Sequence, residues 1–359
     1  MKKLALLFPL GAVMAAAVWG LAAGDAGDPL VSLSYLSNEF VQTVEQRVDN
    51  ALDISDEDLH SRLETGSSTN AAVWQELRLK EDDTLQGITG TNVLLLAGRM
   101  QVTYSSGAVV DATSGSVVPS GAVLTVGHRY ITAEDTAASY AVISKTAVLD
   151  YQGQYNFTYS ARPDYNAMAA ALKSLHLFKG TFTGYGEGFD LEAVPTRLQA
   201  LIMFIRVLGE EEQALAWSGT VPFKDIQHGS QAEKYVGYAY EKGYTNGYTA
   251  TSFRPAGSVN AYQYTEFVLR AMGYSSAENT DLSTTLTRAV IAGVLTDQEA
   301  ASLQSETFLR AQLVYISYYA LEAQLPEDDW TLADELMDLS VFTPREWQKA
   351  SELVTTSRL

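Results

Sequence analysis

The feature that most constrains this chain is an internal repeat. Phe189-Asp-Leu-Glu-Ala-Val-Pro-Thr-Arg-Leu-Gln199 lies over Phe253-Arg-Pro-Ala-Gly-Ser-Val-Asn-Ala-Tyr-Gln263 at a constant offset of 64 residues. Downstream, Arg206 falls on Arg270, Leu208 on Met272 and Gly209 on Gly273. Upstream, Leu177-Phe178-Lys179-Gly180 lies over Gly243-Tyr244-Thr245-Asn246-Gly247. A third, worn copy leads from Ala292-Gly293-Val294-Leu295 to Phe308-Leu309-Arg310-Ala311-Gln312 and on through Tyr319. Each copy reads as a helix, a glycine turn, an extended segment opening on Phe and a second, apolar helix. One copy cannot bury its own apolar helix; two or three do so jointly. The expected units are 164–210, 221–274 and a degenerate 281–323. Within the first, Asp164 to Leu177 and Val194 to Leu215 read as helices. A helical tail follows over 324–359, where Thr343-Pro344-Arg345-Glu346 combines a capping box with proline at the first helical position.

The remainder divides into three zones. Residues 1–23 read as a secretory signal: Lys2 and Lys3, then the uncharged Leu4 to Leu21, then small residues that allow cleavage after Ala22, Ala23 or Ala26. The rival reading is an uncleaved anchor, against which Pro9, Gly11 and Gly20 argue. No later segment is apolar enough to cross a bilayer, so no membrane contact is expected once the signal is removed. Residues 29–83 read as helical from Leu33, Leu36, Phe40, Val44 and Val48. Residues 86–160 carry short β-branched runs parted by Ser-Gly, Pro-Ser-Gly and Gly-His turns, the pattern of a small all-β module. The fold class expected is α+β and multidomain: an N-terminal helix, the β-module and a mostly α-helical, pseudo-threefold C-terminal bundle.

Composition excludes several functions. Acids outnumber bases 43 to 24 for a net charge of −19, which argues against nucleic acid as a partner. The absence of cysteine removes disulfides, thiolate nucleophiles, zinc ribbons and iron–sulfur clusters. His128 stands without a nearby acid–nucleophile pair and reads as structural. Gly184-Tyr185-Gly186-Glu187-Gly188 lacks the strand and helix of a phosphate loop, and Glu327-Asp328-Asp329 reads as a solvated helix start. No enzyme motif appears, and no cofactor or metal is implied.

The repeat resembles the S-layer homology family. The residues that carry the likeness are Phe223-Lys224-Asp225, Ala239-Tyr240-Glu241-Lys242-Gly243-Tyr244-Thr245-Asn246-Gly247, Phe253-Arg254-Pro255 and Thr196-Arg197-Leu198-Gln199. The resemblance spans roughly 164–323 and is most specific over 221–274. It implies a Gram-positive, Firmicutes-type bacterium, an exported protein of the cell surface, and three units forming a pseudo-threefold bundle. That bundle would bind a secondary cell wall polysaccharide, an acidic glycan often capped by pyruvate ketals.

Local chemistry supports a ligand role for particular residues. Thr196 and Gln199 form a capping box and set Arg197 in the first turn of an apolar helix. A cation there opposes the helix dipole, and an anion held jointly by the guanidinium and the free helix N–H groups would give it a purpose. Arg310 occupies the same register in the third copy. The competing reading pairs both arginines with local acids such as Glu192 or Glu306. Tyr235 and Tyr238 share a helical face and read as core, whereas Tyr244, Tyr248 and Tyr262 lie at turns or a helix start and suit stacking on sugar. Ala261 stands at the arginine position of the second copy and Leu309 at the capping position of the third, so these grooves depart from the family pattern. Two other functions remain open: an adhesive or structural protein acting through the β-module, and a wall-glycan hydrolase, which needs only two well-placed carboxylates. Self-association is left open, with nothing in the sequence to support it.

Overall fold

A computed structural model describes residues 73–358 apart from Tyr185, Ala277, Thr280, Glu327 and Asp328. The signal of 1–23, the helical pattern of 29–72 and part of the acidic run at 327–329 lie outside the described residues. The described residues 73–358 fall in one compact unit, in which polar contacts such as Arg78 to the Glu187 carbonyl, Thr146 to Glu192 and Lys145 to Glu306 tie the β-sheet to the helical bundle.

The sheet holds eight antiparallel strands: β1 (Gln75–Lys80), β2 (Thr84–Gly87), β3 (Asn92–Tyr104), β4 (Val109–Asp111), β5 (Ser116–Val118), β6 (Arg129–Thr132), β7 (Ala138–Gln152) and β8 (Tyr155–Thr158). Their order is β5-β4-β6-β3-β7-β2-β8, with β1 added to β7. The helical reading of 29–83 is therefore wrong at its C-terminal end, and the sheet begins at 75 rather than 86. Gln75 to Lys80 alternates polar and apolar residues, and the long β7 offers it a partner from Tyr151 to Thr146. Pairing buries Leu79, which a helix on its own would not.

Register in β3 is held by two irregularities, between Leu95 and Ala97 and between Gly98 and Met100. They shift the buried set from Val93 and Leu95 to Met100 and Val102, so both ends of the strand face one core despite the change of phase. Gly98 makes this possible. Its φ is +81°, and a Cβ there would lie 2.3 Å from the Thr146 carbonyl oxygen.

The bundle contains α1 (Tyr165–Ser174), a short hairpin β9 (Thr181–Phe182) and β10 (Glu187–Gly188), α2 (Arg197–Val207), α3 (Glu211–Ala216), α4 (Gln231–Glu241), α5 (Ala261–Ala271), α6 (Thr285–Ile291), α7 (Asp297–Ser305), α8 (Arg310–Glu322), α9 (Leu332–Asp338) and α10 (Pro344–Glu352). The single helix expected from Val194 to Leu215 is two. Gly209, at φ +68°, ends α2 by the left-handed turn that glycine favours, and α3 restarts beyond it. Glu187 and Gly188 of the glycine-rich stretch form β10; Gly188 leaves room for Arg78, which donates to the Glu187 carbonyl at 2.8 Å. Thr343 and Glu346 form the capping box that opens α10.

Helices α2, α5 and α8 all pack against one another and share one apolar core. α8 is buried from Arg310 to Leu321, and Tyr264 reaches across to Ser317 at 2.6 Å within it. The third copy departs from the other two in a way the sequence hid: α7 replaces the extended Phe segment, leaving only Phe308 buried at its end. Arg358 then closes this copy from the tail, donating through Nε and Nη2 to the buried Glu299.

Trp217 packs flat on α4 where Gly237 has no side chain. A Cβ at Gly237 would lie 2.2 Å from the indole ring, whose N–H donates to Glu241 at 2.7 Å. Gly237→Ala gains about 1 kcal/mol of helix propensity but must displace the ring, at about 1–3 kcal/mol. The expected result is a lower urea midpoint. Trp217→Ala in the same chain should recover part of the loss, and a midpoint raised by Gly237→Ala alone would refute the packing argument.

Candidate functional site

A cleft of about 310 Å³ opens between the first turn of α2, the turn at 246–250 and one face of α5. The turn exists because Gly247 adopts φ +85° against the edge of Phe223. Arg197 forms the floor and is only 6% exposed. Its guanidinium carbon sits 5.0 Å from the Phe253 ring centroid and 5.2 Å from that of Phe267. Nη2 makes long contacts to the Thr245 hydroxyl at 3.5 Å and the Gly247 carbonyl at 3.3 Å. Nε is buried with no hydrogen-bond partner. No carboxylate among the described residues forms an ion pair with Arg197. Burial, reinforced by the nearby Arg270, pulls its pKa down to about 10, so it is still a cation at neutral pH. A buried donor left unmade costs about 1–3 kcal/mol.

The helix N–H groups are not part of the site, contrary to expectation. Arg197 N–H donates to the Gly257 carbonyl at 2.7 Å and Leu198 N–H to the Pro255 carbonyl at 3.1 Å. Gln199 N–H is taken by the Thr196 hydroxyl, and the Gln199 side chain by the Thr196 N–H. The extended segment of the second copy thus covers the first turn of α2. The first copy does the same for α8: Arg310 N–H donates to the Ala193 carbonyl and Ala311 N–H to the Leu191 carbonyl. The guanidinium alone is left for an anion.

The remaining predicted residues separate. Tyr248 lines the cleft and is 48% exposed. Thr196 and Gln199 act as a cap and do not line it. Tyr244 turns away: its hydroxyl lies 3.1 Å from Glu210, its ring packs edge-on against Phe204, and burial raises its pKa. Tyr262 packs against the core and is not in the lining. Arg310 is buried elsewhere, donating through Nε to the Phe189 carbonyl at 3.1 Å, with its guanidinium 6.0 Å from the Phe178 ring. Glu192 and Glu306, the acids weighed as partners for the arginines, are instead engaged by Thr146 and Lys145 of β7.

Sequence reasoning missed the α5 face. Gln263, Glu266, Phe267 and Arg270 all line the cleft. Gln263 was visible as the repeat partner of Gln199, and Glu266 with Arg270 as a pair one helical turn apart. Glu266 is 2% exposed. It accepts from Arg270 Nε at 3.2 Å, Arg288 Nη2 at 2.5 Å, Ser275 at 2.5 Å and Thr285 at 2.9 Å. Arg270 is committed to this network and to the carbonyls of Tyr244 and Asn279, so it shapes the wall, while Arg197 has no carboxylate partner among the described residues.

His128 has an acidic partner that its neighbours in sequence do not show. Its Nδ1 lies 2.7 Å from Asp111. Burial raises the Asp111 carboxyl, but hydrogen bonds from His128, Ser114 and Thr113 outweigh it and bring the pKa down to about 2. Imidazole and the Ser114 hydroxyl both contact this one carboxylate. Among the described residues no group of three or more His, Asp or Glu is placed to hold a metal ion, and no helix is long and apolar enough to cross a membrane.

The repeated units join through a central helical core formed by α2, α5 and α8. A family model described as the S-layer homology domain matches residues 222–260. Such a domain implies a protein of the cell surface or cell wall, and domains of this family bind cell wall polysaccharides in general. No curated protein matches the chain. Among solved structures, pumpkin seed globulin matches with 9% identity over 28% of this chain and 28% of its own, at a TM-score of 0.16. That likeness is too slight to bear on the fold.

Proposed function

We propose that this is a non-catalytic cell-envelope protein of a Firmicutes-type bacterium. It is held to the wall by an anionic, pyruvylated secondary polymer seated in the Arg197 cleft. The bundle of α2, α5 and α8 acts as a pseudo-threefold arrangement with one groove suited to ligand. The observation that carries the reading is the buried guanidinium of Arg197, without a carboxylate partner, at the floor of an open cleft. A ketal carboxylate is a charge-matched acceptor for the Arg197 guanidinium, and Tyr248 offers a flat face for the sugar. The chain is acidic overall at −19, so its mean field repels the polymer and attraction must come from contacts within the cleft.

The test is co-sedimentation of the full chain with purified walls. Arg197→Gln keeps the shape and removes the charge. It should weaken binding by about tenfold to a hundredfold, the range of a lost charge-assisted hydrogen bond. Mild acid removal of the ketal from the walls should weaken the unsubstituted chain to the same extent. Retention of full binding after both treatments would sink the proposal.

A further inference from the structure

Two guanidiniums adjoin the cleft with no carboxylate partner among the described residues, and the reading above uses only one. The other belongs to Arg254. Its Cζ lies 3.7 Å from the ring centroid of Tyr248, the aromatic residue of the lining, and its side chain is exposed. Arg78, Arg206, Arg270, Arg288 and Arg358 all pair with acids. In so acidic a chain an uncommitted cation beside the cleft calls for a reason.

The backbone sharpens the point. Arg254 has φ +60°, a left-handed conformation that glycine, asparagine and aspartate tolerate better than arginine. Its repeat counterpart is Asp190, at φ +53°. The turn is imposed by Asp225, which accepts from the N–H groups of Phe253 and Arg254, each at 2.8 Å, and from the Ser252 hydroxyl at 2.7 Å. Glycine would hold this turn with less strain, so backbone preference does not account for arginine here. Stacked on Tyr248, the guanidinium is held in place while its N–H edge stays available to an anion. Arg197 lies against Phe253, the residue before it.

We infer that Arg254 is a second anion-binding residue at the cleft mouth. The preferred ligand is a glycan unit bearing two negative groups, one meeting Arg197, the other Arg254, with the sugar ring beside Tyr248. This deepens the anchoring reading and rests on it. The probes are the methyl glycoside of a pyruvate-ketal hexose, which carries one charge, and the corresponding glycosyl phosphate, which carries the ketal and a second anionic group. The full chain should bind the phosphate probe about tenfold tighter in calorimetry. Arg254→Gln should abolish that preference and leave affinity for the single-charge probe within about twofold, because its floor contact is intact. Arg254→Gly should do the same with a thermal midpoint unchanged or higher, since glycine suits the turn. Equal weakening of both probes, a preference that survives Arg254→Gln, or a midpoint that falls in Arg254→Gly would make Arg254 scaffold and overturn the inference. Failure of the unsubstituted chain to bind either probe overturns the anchoring reading itself.

Discussion

Replacing Glu266 by alanine is expected to remove about 3–5 kcal/mol of stability, the usual loss when one partner of a buried ion pair is deleted. Glu266 and Arg270 have side chains 3% and 5% exposed, and Arg288 approaches the second carboxylate oxygen at 2.5 Å. Without the carboxylate, Arg270 is left as a buried cation, with Arg288 beside it. Ser275 and Thr285 lose their acceptor. The same change should distort the α5 wall of the cleft and weaken wall binding, although Arg197 is untouched. A urea midpoint within the range of ordinary surface substitutions would refute this account.

Glu266 also makes a prediction about pH. Burial alone raises its carboxyl, but hydrogen bonds from Ser275, Arg288 and Thr285 outweigh it and hold the pKa below the ordinary 4.5. A carboxylate depressed on folding contributes stability that is fully present above its unfolded pKa. That contribution drains away as pH falls through the folded value. The unsubstituted chain should therefore lose more stability between neutral and acid pH than Glu266→Gln does. Equal acid sensitivity of the two chains would count against the network.

The second large effect is at Gly247. A Cβ there would lie 2.3 Å from Phe223 Cε1 and 2.8 Å from the Thr249 carbonyl oxygen, on a backbone with φ +85°. Phe223 is buried beside Phe253, so its ring cannot simply swing out. Overpacking costs about 1–3 kcal/mol, and a strained left-handed residue adds roughly 1–2 kcal/mol. Gly247→Ala should lower the thermal midpoint and also abolish wall binding, because the Gly247 carbonyl and Tyr248 both belong to the cleft. Gly229 is a fitting control. It has φ +75° but nothing within 4 Å of an added Cβ, so its alanine variant carries the backbone strain without the clash. Similar losses at the two glycines would remove the clash as the cause.

Much of the bundle was legible in the chain because its signals are local. The offset linking Phe189 to Phe253 and Gln199 to Gln263 placed α2 and α5 correctly, and Thr196 with Gln199 marked the start of α2. Capping is decided within three residues, so it survives any packing. Gly209 carried its meaning less openly: apolar residues continue on both sides, and the left-handed turn that splits the expected helix appears only in three dimensions. β1 was missed for a related reason. Gln75 to Lys80 is a strand because β7 lies beside it, and pairing partners 66 to 76 residues away leave no local mark.

What the sequence determined by itself is the repeated unit, its caps and the placing of Arg197 in a first turn, since these follow from side-chain spacing and short-range hydrogen bonds. What only the tertiary structure decided is which donors remain free. The carbonyls of Gly257 and Pro255 take up the helix N–H groups, Arg270 is drawn into the Glu266 network, and Tyr244 turns to Glu210. Arg197 is left with an unused donor because its neighbours bury it without supplying a carboxylate, a balance set by segments far apart in the chain.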